Sequence, residues 1–377
     1  MEKLLTADKT NVMLAATKNI EELPRKMIRR IGKDPIKAAE TINLIYVTDT
    51  TPGIARERKG KTFHYRAGDV EIDDPVQLDR IKKLVIPPAW ENVWICKSEK
   101  GHLQVTGYDL LKRKQYRYHP LWNLLRNQTK YYRLHAFGKA LPALRLQMEK
   151  DLSLPGIPQE KVLAAVVSLM ERTTIRVGSS SYEKLYGSFG LSTLKDRHVS
   201  VDGSRIRFAF KGKKGVHHNI SLKNKKLAAI VKKCKEVPGK ELFQYMDESG
   251  GYHIIDSGMV NDYIRKYAGS DYTSKDLRTW AGSLQALIAF RELGPGENAT
   301  ETKKKIVEAL DQVSSHLGNT RTVCKKYYVH PIIISLYENN KLQSYLQQLD
   351  KIETDDGKSG LAAEEKVLMK ILETSLA

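Results

Sequence analysis

The chain changes its hydrophobic period at Pro120. From Asn43 to His119 the apolar residues fall in short runs separated by turn residues, whereas beyond Pro120 they recur every three or four positions. In the first part, Leu44-Ile45-Tyr46-Val47 predicts a strand, followed by turn chemistry over residues 49–53. Lys61-Thr62-Phe63-His64-Tyr65 predicts a second strand. A short helix over 79–84 stops before Pro87-Pro88, because proline pushes the preceding residue out of helical geometry. Val93-Trp94-Ile95-Cys96 and His102-Leu103-Gln104-Val105-Thr106 predict two more strands joined by a Lys100-Gly101 turn.

Beyond Pro120, residues 122–135, 136–152 and 159–172 carry helical periodicity. A β insert interrupts the helices. His198-Val199-Ser200-Val201, Arg205-Ile206-Arg207-Phe208-Ala209-Phe210 and Val216-His217-His218-Asn219-Ile220 predict three strands, with turns at Asp202-Gly203 and Lys211-Gly212-Lys213-Lys214-Gly215. Ser274, read as an N-cap, opens a long apolar helix that Gly294-Pro295-Gly296 ends. A further helix over 302–317 leads through Gly318-Asn319-Thr320 into a segment carrying Lys325-Lys326-Tyr327-Tyr328, and a last helix spans 361–376. The pattern predicts an α+β chain: an extension over 1–40, a small β-rich N-terminal domain over 41–120, and a mainly α-helical domain with a β-hairpin insert over 121–377.

Charge narrows the choice of partner. Among 377 residues, 63 Lys and Arg face 44 Asp and Glu, a formal net charge of +19. Such an excess selects a polyanion, and nucleic acid is the commonest polyanion for a globular chain. No apolar run reaches the ~18 residues of a membrane span, so a membrane is not expected as partner. The N-terminal residues mix acids and bases and contain no signal-peptide core. Cys96, Cys234 and Cys324 are odd in number and far apart, which fits neither a disulfide framework nor a zinc site and suggests a reducing, cytoplasmic compartment. The basic run Arg25-Lys26-Met27-Ile28-Arg29-Arg30 reads as an arm near nucleic acid or as a solvated helix face.

Several residues carry candidate chemistry, each beside a plainer reading. A phenol after Lys325-Lys326 is suited to attack phosphorus, since nearby cations hold a phosphodiester and favour phenolate; a packed tyrosine on an ordinary helix gives the same string. Arg176 stands near a helix end, either neutralising the dipole or aimed at a phosphate. Lys213, flanked by Gly212 at a hairpin tip, is a mobile proton donor or merely a soluble lysine. Arg278 falls near the positive end of a helix, a placement unhelpful to stability and suggestive of anion binding. His217 and His218 are neighbours in a strand, face opposite sides and make a poor metal pair. In Lys112-Arg113-Lys114-Gln115-Tyr116-Arg117-Tyr118-His119 cations alternate with aromatics, as in a nucleic-acid contact or a surface strand.

Arg176, Lys213, Arg278, Asn319 and Tyr328, in that order, resemble the type IB DNA topoisomerases, in their compact bacterial and poxvirus-like branch. The resemblance runs from about Asn43 to Tyr337. It is carried by Val47-Thr48-Asp49 with Pro52-Gly53-Ile54, Val85-Ile86-Pro87-Pro88-Ala89-Trp90, Arg113-Lys114-Gln115-Tyr116-Arg117-Tyr118, Ile175-Arg176-Val177-Gly178, Lys275-Asp276-Leu277-Arg278-Thr279 and the run from Leu317 to Tyr328. It implies a topoisomerase-like or recombinase-like helical catalytic domain that closes with the β-rich domain around duplex DNA. It implies Tyr328 as nucleophile forming a 3′-phosphotyrosyl bond, Arg176 and Arg278 as phosphate ligands, and Lys213 as general acid. Tyr327 is turned about 100° away from Tyr328 on a helix, so both cannot face one phosphate.

Poxvirus members place His where Asn319 stands and bacterial members tend to carry Asn, which points to hydrogen bonding to a phosphate oxygen and not to obligatory proton transfer. Gln115, Tyr116, Tyr118 and Tyr182 match DNA-contacting positions, and Lys275 is counted with them; Ser181 stands where a basic residue is expected. The resemblance further implies no ATP, since religation draws on the covalent link; no carboxylate cluster for catalytic magnesium is evident, so no metal is expected to be required. It also implies a monomer, because one chain supplies every group. The rival readings are a tyrosine recombinase, which usually has His where Lys275 sits, and a non-enzymatic DNA-binding protein.

Overall fold

A computed structural model of the chain describes residues 34–374, apart from 61, 111–113, 270, 271 and 350–359. The basic run ending at Arg30, and Lys112 and Arg113, lie outside the described residues. The chain forms two compact units, divided after Tyr132.

The first unit is built on a six-stranded antiparallel sheet: β1 (Ile54–Lys59), β2 (Thr62–Ala67), β3 (Val70–Glu71), β4 (Glu91–Ile95), β5 (Leu103–Tyr108) and β6 (Lys114–Tyr118), in the order β3-β2-β1-β4-β5-β6. Ile54, Val93, Ile95 and Val105 bury one face against Ile81 of the Pro75–Lys83 helix. That helix begins where Asp74 accepts the Val76 and Gln77 amides. β1 escapes the pattern reading because five of its six residues, Ala-Arg-Glu-Arg-Lys, are not buried. Its hold on the sheet is polar: the Arg56 guanidinium donates to the carbonyls of Ile86, Pro87 and Trp90. This explains the Val85–Trp90 motif as a loop shaped to receive an arginine.

The strand expected over 44–47 does not form. Ile45 makes only an isolated bridge to Gly101. His102 Nδ1 accepts the Val47 amide at 3.1 Å and its ring stacks on Tyr46, so a side chain takes the donor a ladder would use. Asp49 pairs with Lys114 and accepts from Thr106, tying the following loop to β5 and β6.

The second unit is mainly helical. The Gln159–Thr173 helix is buried on every side from Lys161 to Met170, as a central helix must be. The Ser274–Leu293 helix packs on it and on the Ala299–Leu317 and Ala363–Thr374 helices. Arg145, in the Pro120–Asp151 helix, donates to both Glu365 oxygens and to Glu171, and Glu365 also accepts from Trp280. A three-stranded antiparallel sheet, β7 (Val199–Asp202), β8 (Arg205–Lys211) and β9 (His217–Lys223), carries the insert. In β8, Ile206, Phe208 and Phe210 are buried and the intervening residues exposed, the period of two read from its sequence. A two-stranded ribbon, β10 (Gln244–Met246) and β11 (Tyr252–Ile254), completes the strands described.

The cap of the Ser274–Leu293 helix is Thr273 and not Ser274. Thr273 has extended backbone and shares a reciprocal box with Asp276, whose carboxylate accepts the Thr273 amide at 2.9 Å. The architecture is the α+β arrangement expected, a β-rich N-terminal unit followed by a mainly helical one. Among the described residues no helix is long and apolar enough to cross a membrane.

Candidate active site

Two helix C-termini hold the arginines of the second unit's cleft. The Gln159–Thr173 helix ends with Thr174 in left-handed conformation, and the Ala299–Leu317 helix ends with Gly318 in the same conformation. Each end leaves carbonyls without partners inside its own helix. Arg278 donates to the Thr174 carbonyl through Nη1 and to the Leu317 carbonyl through Nη2, the latter at 2.8 Å. Arg176 donates to the Gly318 carbonyl at 3.0 Å and to the Asn319 side-chain oxygen. The Thr174 hydroxyl closes the set by donating to the His316 carbonyl at 2.8 Å. Two guanidiniums are thus fixed by the negative ends of two helix dipoles.

Arg278 shares its cleft with Ser274 and Lys275 from the start of its own helix, but its hydrogen bonds run to the ends of two others. It is the fifth residue of Ser274–Leu293 and reaches across to other helices. It is 5 % exposed. Burial, and the Arg176 charge beside it, lower its pKa to about 10, which still leaves it charged at neutral pH. Burial likewise pulls Arg176 below its ordinary value. Arg278 Nε and Asn319 Nδ2 are buried donors with no hydrogen-bond partner among the described residues. Buried donors normally find acceptors; here two of them, next to paired cations, suit the oxygens of an anion.

Arg176 is held by its loop. Leu191 and Ser192 donate amides to the Arg176 and Val177 carbonyls at 2.9 and 2.7 Å. Gly178, at φ 95°, lies against Gly190 so closely that neither position admits a side chain. That accounts for the glycine in Arg176-Val177-Gly178.

Tyr328 follows the Arg321–Tyr327 helix, its amide donating to the Cys324 carbonyl at 2.9 Å. The Arg278 guanidinium carbon lies 5.4 Å from the Tyr328 ring centre. Arg176, Arg278, Tyr328, Lys213, Tyr182 and Lys275 all line one cleft of about 260 Å³. Lys213, in the turn between β8 and β9, sets its ammonium 5.0 Å from the Tyr182 ring centre. Asn319 joins through Arg176. Tyr327 is not among the residues lining the cleft, and its ring faces Lys326.

Across these residues the family described as "Eukaryotic DNA topoisomerase I, catalytic core" matches positions 113–355, and "Bacterial DNA topoisomerase IB, N-terminal domain" matches 62–109. The chain is 33% identical over 296 residues to a DNA topoisomerase 1B of Acanthamoeba polyphaga mimivirus, covering 76% of this chain and 88% of the viral protein. The chain belongs to the type IB DNA topoisomerases. It is also 22% identical over 276 residues to a DNA topoisomerase 1B of Vaccinia virus, covering 71% and 81%. Membership sets aside the recombinase and the purely DNA-binding alternatives.

In this topoisomerase the other DNA-contact candidates lie in the first unit, on β6. Tyr116 is exposed and stacks on Tyr118, while Gln115 donates to Asp109 at 2.9 Å. Ser181 is buried, so the position before Tyr182 faces inward. Among the described residues no group of three or more His, Cys, Asp or Glu is placed to hold a metal.

Sequence reading missed Gly282 and Ser283, which hold the Tyr328 backbone, and Ser179, Ser188 and Phe189, which line the cleft. Small residues on a buried helix carry no chemical signal. His218 enters the sequence only as half of an improbable metal pair; its ring packs beside the Gly212 and Gly318 turns.

Proposed function

We propose that this topoisomerase relaxes supercoiled duplex DNA through Tyr328. The Tyr328 oxygen attacks a backbone phosphorus, the bond from phosphorus to the 5′-oxygen breaks, and a 3′-phosphotyrosyl link remains. Lys213 gives the departing 5′-oxygen its proton. Arg176 and Arg278 donate to the non-bridging oxygens as charge accumulates, and Asn319 adds a neutral donor. After strand rotation the 5′-hydroxyl attacks the phosphotyrosine and restores the phosphodiester. The link conserves the bond energy, so ATP is not consumed, and the positive charge needed at phosphorus comes from side chains, so a divalent metal is not required.

One observation carries this reading. A tyrosine shares a cleft with Arg176, Lys213 and Arg278, and the buried Arg278 Nε there, like Asn319 Nδ2 beside Arg176, has no acceptor among the described residues. Gln115, Tyr116, Tyr118, Tyr182 and Lys275 are taken as contacts along the duplex. The working unit is the monomer, acting on DNA of the cytoplasmic nucleoid.

The test is plasmid relaxation in EDTA without ATP by the wild type and by Tyr328→Phe, with a probe for protein attached to a 3′ end. Relaxation by the wild type alone, with a 3′ adduct, is expected. Retained activity in Tyr328→Phe would move the nucleophile elsewhere.

A further inference from the structure

His218 stands between the two turns that carry the reaction's proton donor and its neutral phosphate ligand. Its ring stacks on Phe210, its register partner across the hairpin, with ring centres 4.9 Å apart. A Cβ added at Gly212 would lie 2.6 Å from His218 Cδ2 and Nε2, and one added at Gly318 would lie 2.6 Å from His218 Cε1. Gly212 precedes Lys213 and Gly318 precedes Asn319. One imidazole therefore fills the space that side chains at both glycines would need.

The Lys213 turn is tied at its base, where the Phe189 amide donates to the Lys211 carbonyl at 2.9 Å. Its closure is local: Gly212 donates to the Val216 carbonyl at 2.7 Å and Gly215 to the Gly212 carbonyl at 3.1 Å. Lys214 adopts a left-handed conformation, and Lys213 and Lys214 are exposed. A lysine on such a turn has many rotamers, and a proton donor must find one atom of the DNA. A flat ring wedged under the turn and against the opposite wall removes that freedom at the backbone.

We infer that His218 is a positioning residue, setting the Lys213 turn against the Gly318-Asn319 turn so that Lys213 reaches the leaving 5′-oxygen. The inference rests on the reading of Lys213 as general acid. Burial, and the charges of Arg176 and Arg278, lower the His218 pKa, so the wedge is neutral at neutral pH and adds no charge to the two guanidiniums.

The experiment is single-turnover formation of the covalent adduct on a duplex whose cleavage position has been mapped. It is run with the ordinary phosphodiester and with sulfur replacing the bridging 5′-oxygen. A thiolate leaves without a proton, so a defect confined to proton donation disappears on the sulfur substrate. His218→Ala is expected to slow cleavage of the ordinary substrate by about tenfold or more, part of the ~10²–10⁴ that proton transfer contributes, and to return to near the wild-type rate on sulfur. His218→Phe, which keeps a ring on Phe210 and between the glycines, is expected to cleave both substrates at near the wild-type rate.

Lys213→Ala, run in parallel, separates the two readings. If Lys213→Ala is rescued by sulfur but His218→Ala is slow on both substrates, or fast on both, the role given to His218 is wrong. If Lys213→Ala is not rescued, the general-acid reading falls and takes the inference with it. Should His218→Ala fail to fold, Gly212→Ala puts a methyl where the ring lies, and the same pattern of slowing and rescue is required of it.

Discussion

The Ser283 hydroxyl donates to the Tyr328 carbonyl at 3.2 Å. It also accepts the His330 amide at 3.0 Å, so one fully buried hydroxyl bridges the backbone on both sides of Val329. Beside it, Gly282 leaves no room: a Cβ there would lie 2.8 Å from the Tyr328 carbonyl oxygen and 2.9 Å from its Cβ. The Ser274–Leu293 helix thus holds the proposed nucleophile by its main chain while leaving the phenol to the cleft.

Gly282→Ala should therefore displace Tyr328 without touching the DNA surface. A displacement near 1 Å costs a reaction about 10²-fold, so adduct formation should slow by about that much while noncovalent DNA affinity holds. Single-turnover cleavage beside a binding titration checks it. Unchanged cleavage kinetics would show that the backbone contact does not set the position of Tyr328.

Arg278→Lys should fail as a conservative change. The guanidinium serves Thr174 and Leu317 with two nitrogens and keeps a third without a partner among the described residues. A lysine has one nitrogen and cannot span that fork. Loss of one preorganised donor to transition-state charge lowers the rate by about 10²–10³-fold. A helix-end carbonyl left unpaired costs about 1–3 kcal/mol of stability. Adduct formation and urea unfolding should both register the change; wild-type values in either assay would contradict the arrangement.

Glu365 makes stability depend on acid pH. Burial works to raise its pKa, but the hydrogen bonds and charge of Arg145, with the Trp280 and Ala362 donors, win and hold it below its ordinary 4.5. The unfolded state therefore binds the proton more tightly than the folded one. The contribution is complete above the ordinary carboxylate range and is lost as pH falls through the lower folded value. Glu365→Gln should flatten that part of the profile, and Arg145→Ala, which leaves a buried carboxylate unpaired, should cost about 3–5 kcal/mol. Urea midpoints at neutral pH and near pH 4 test both. A mutant as acid-sensitive as the wild type would move the linkage to other carboxylates.

Much of the site's membership was legible before any coordinates. Arg176, Lys213, Arg278 and Tyr328 are singled out together by the family resemblance, each having a plainer reading by itself, and the structure brings all four to one cleft. Their partners were not legible. Arg176 reaches an oxygen 143 residues away on Asn319, and Arg278 a carbonyl 104 residues back at Thr174. Nothing near either arginine in sequence names those acceptors; Arg278 reads only as placed for an anion near the start of its own helix.

The same division explains the elements. Helices, caps and the alternation of β8 follow from neighbours a few residues apart, because backbone hydrogen bonding and side-chain period are local. Thus the helical second unit, the hairpin of Lys213 and the order of the candidate residues were determined by the sequence alone. The strand expected at Leu44 to Val47 failed because His102, 55 residues on, takes the Val47 amide. β1 forms in a charged segment because Arg56 finds three carbonyls 30 or more residues away. Which helix ends meet, which donors they leave unpaired, and which ring wedges the Lys213 turn were decided only by tertiary structure, since packing joins residues that share no local signal.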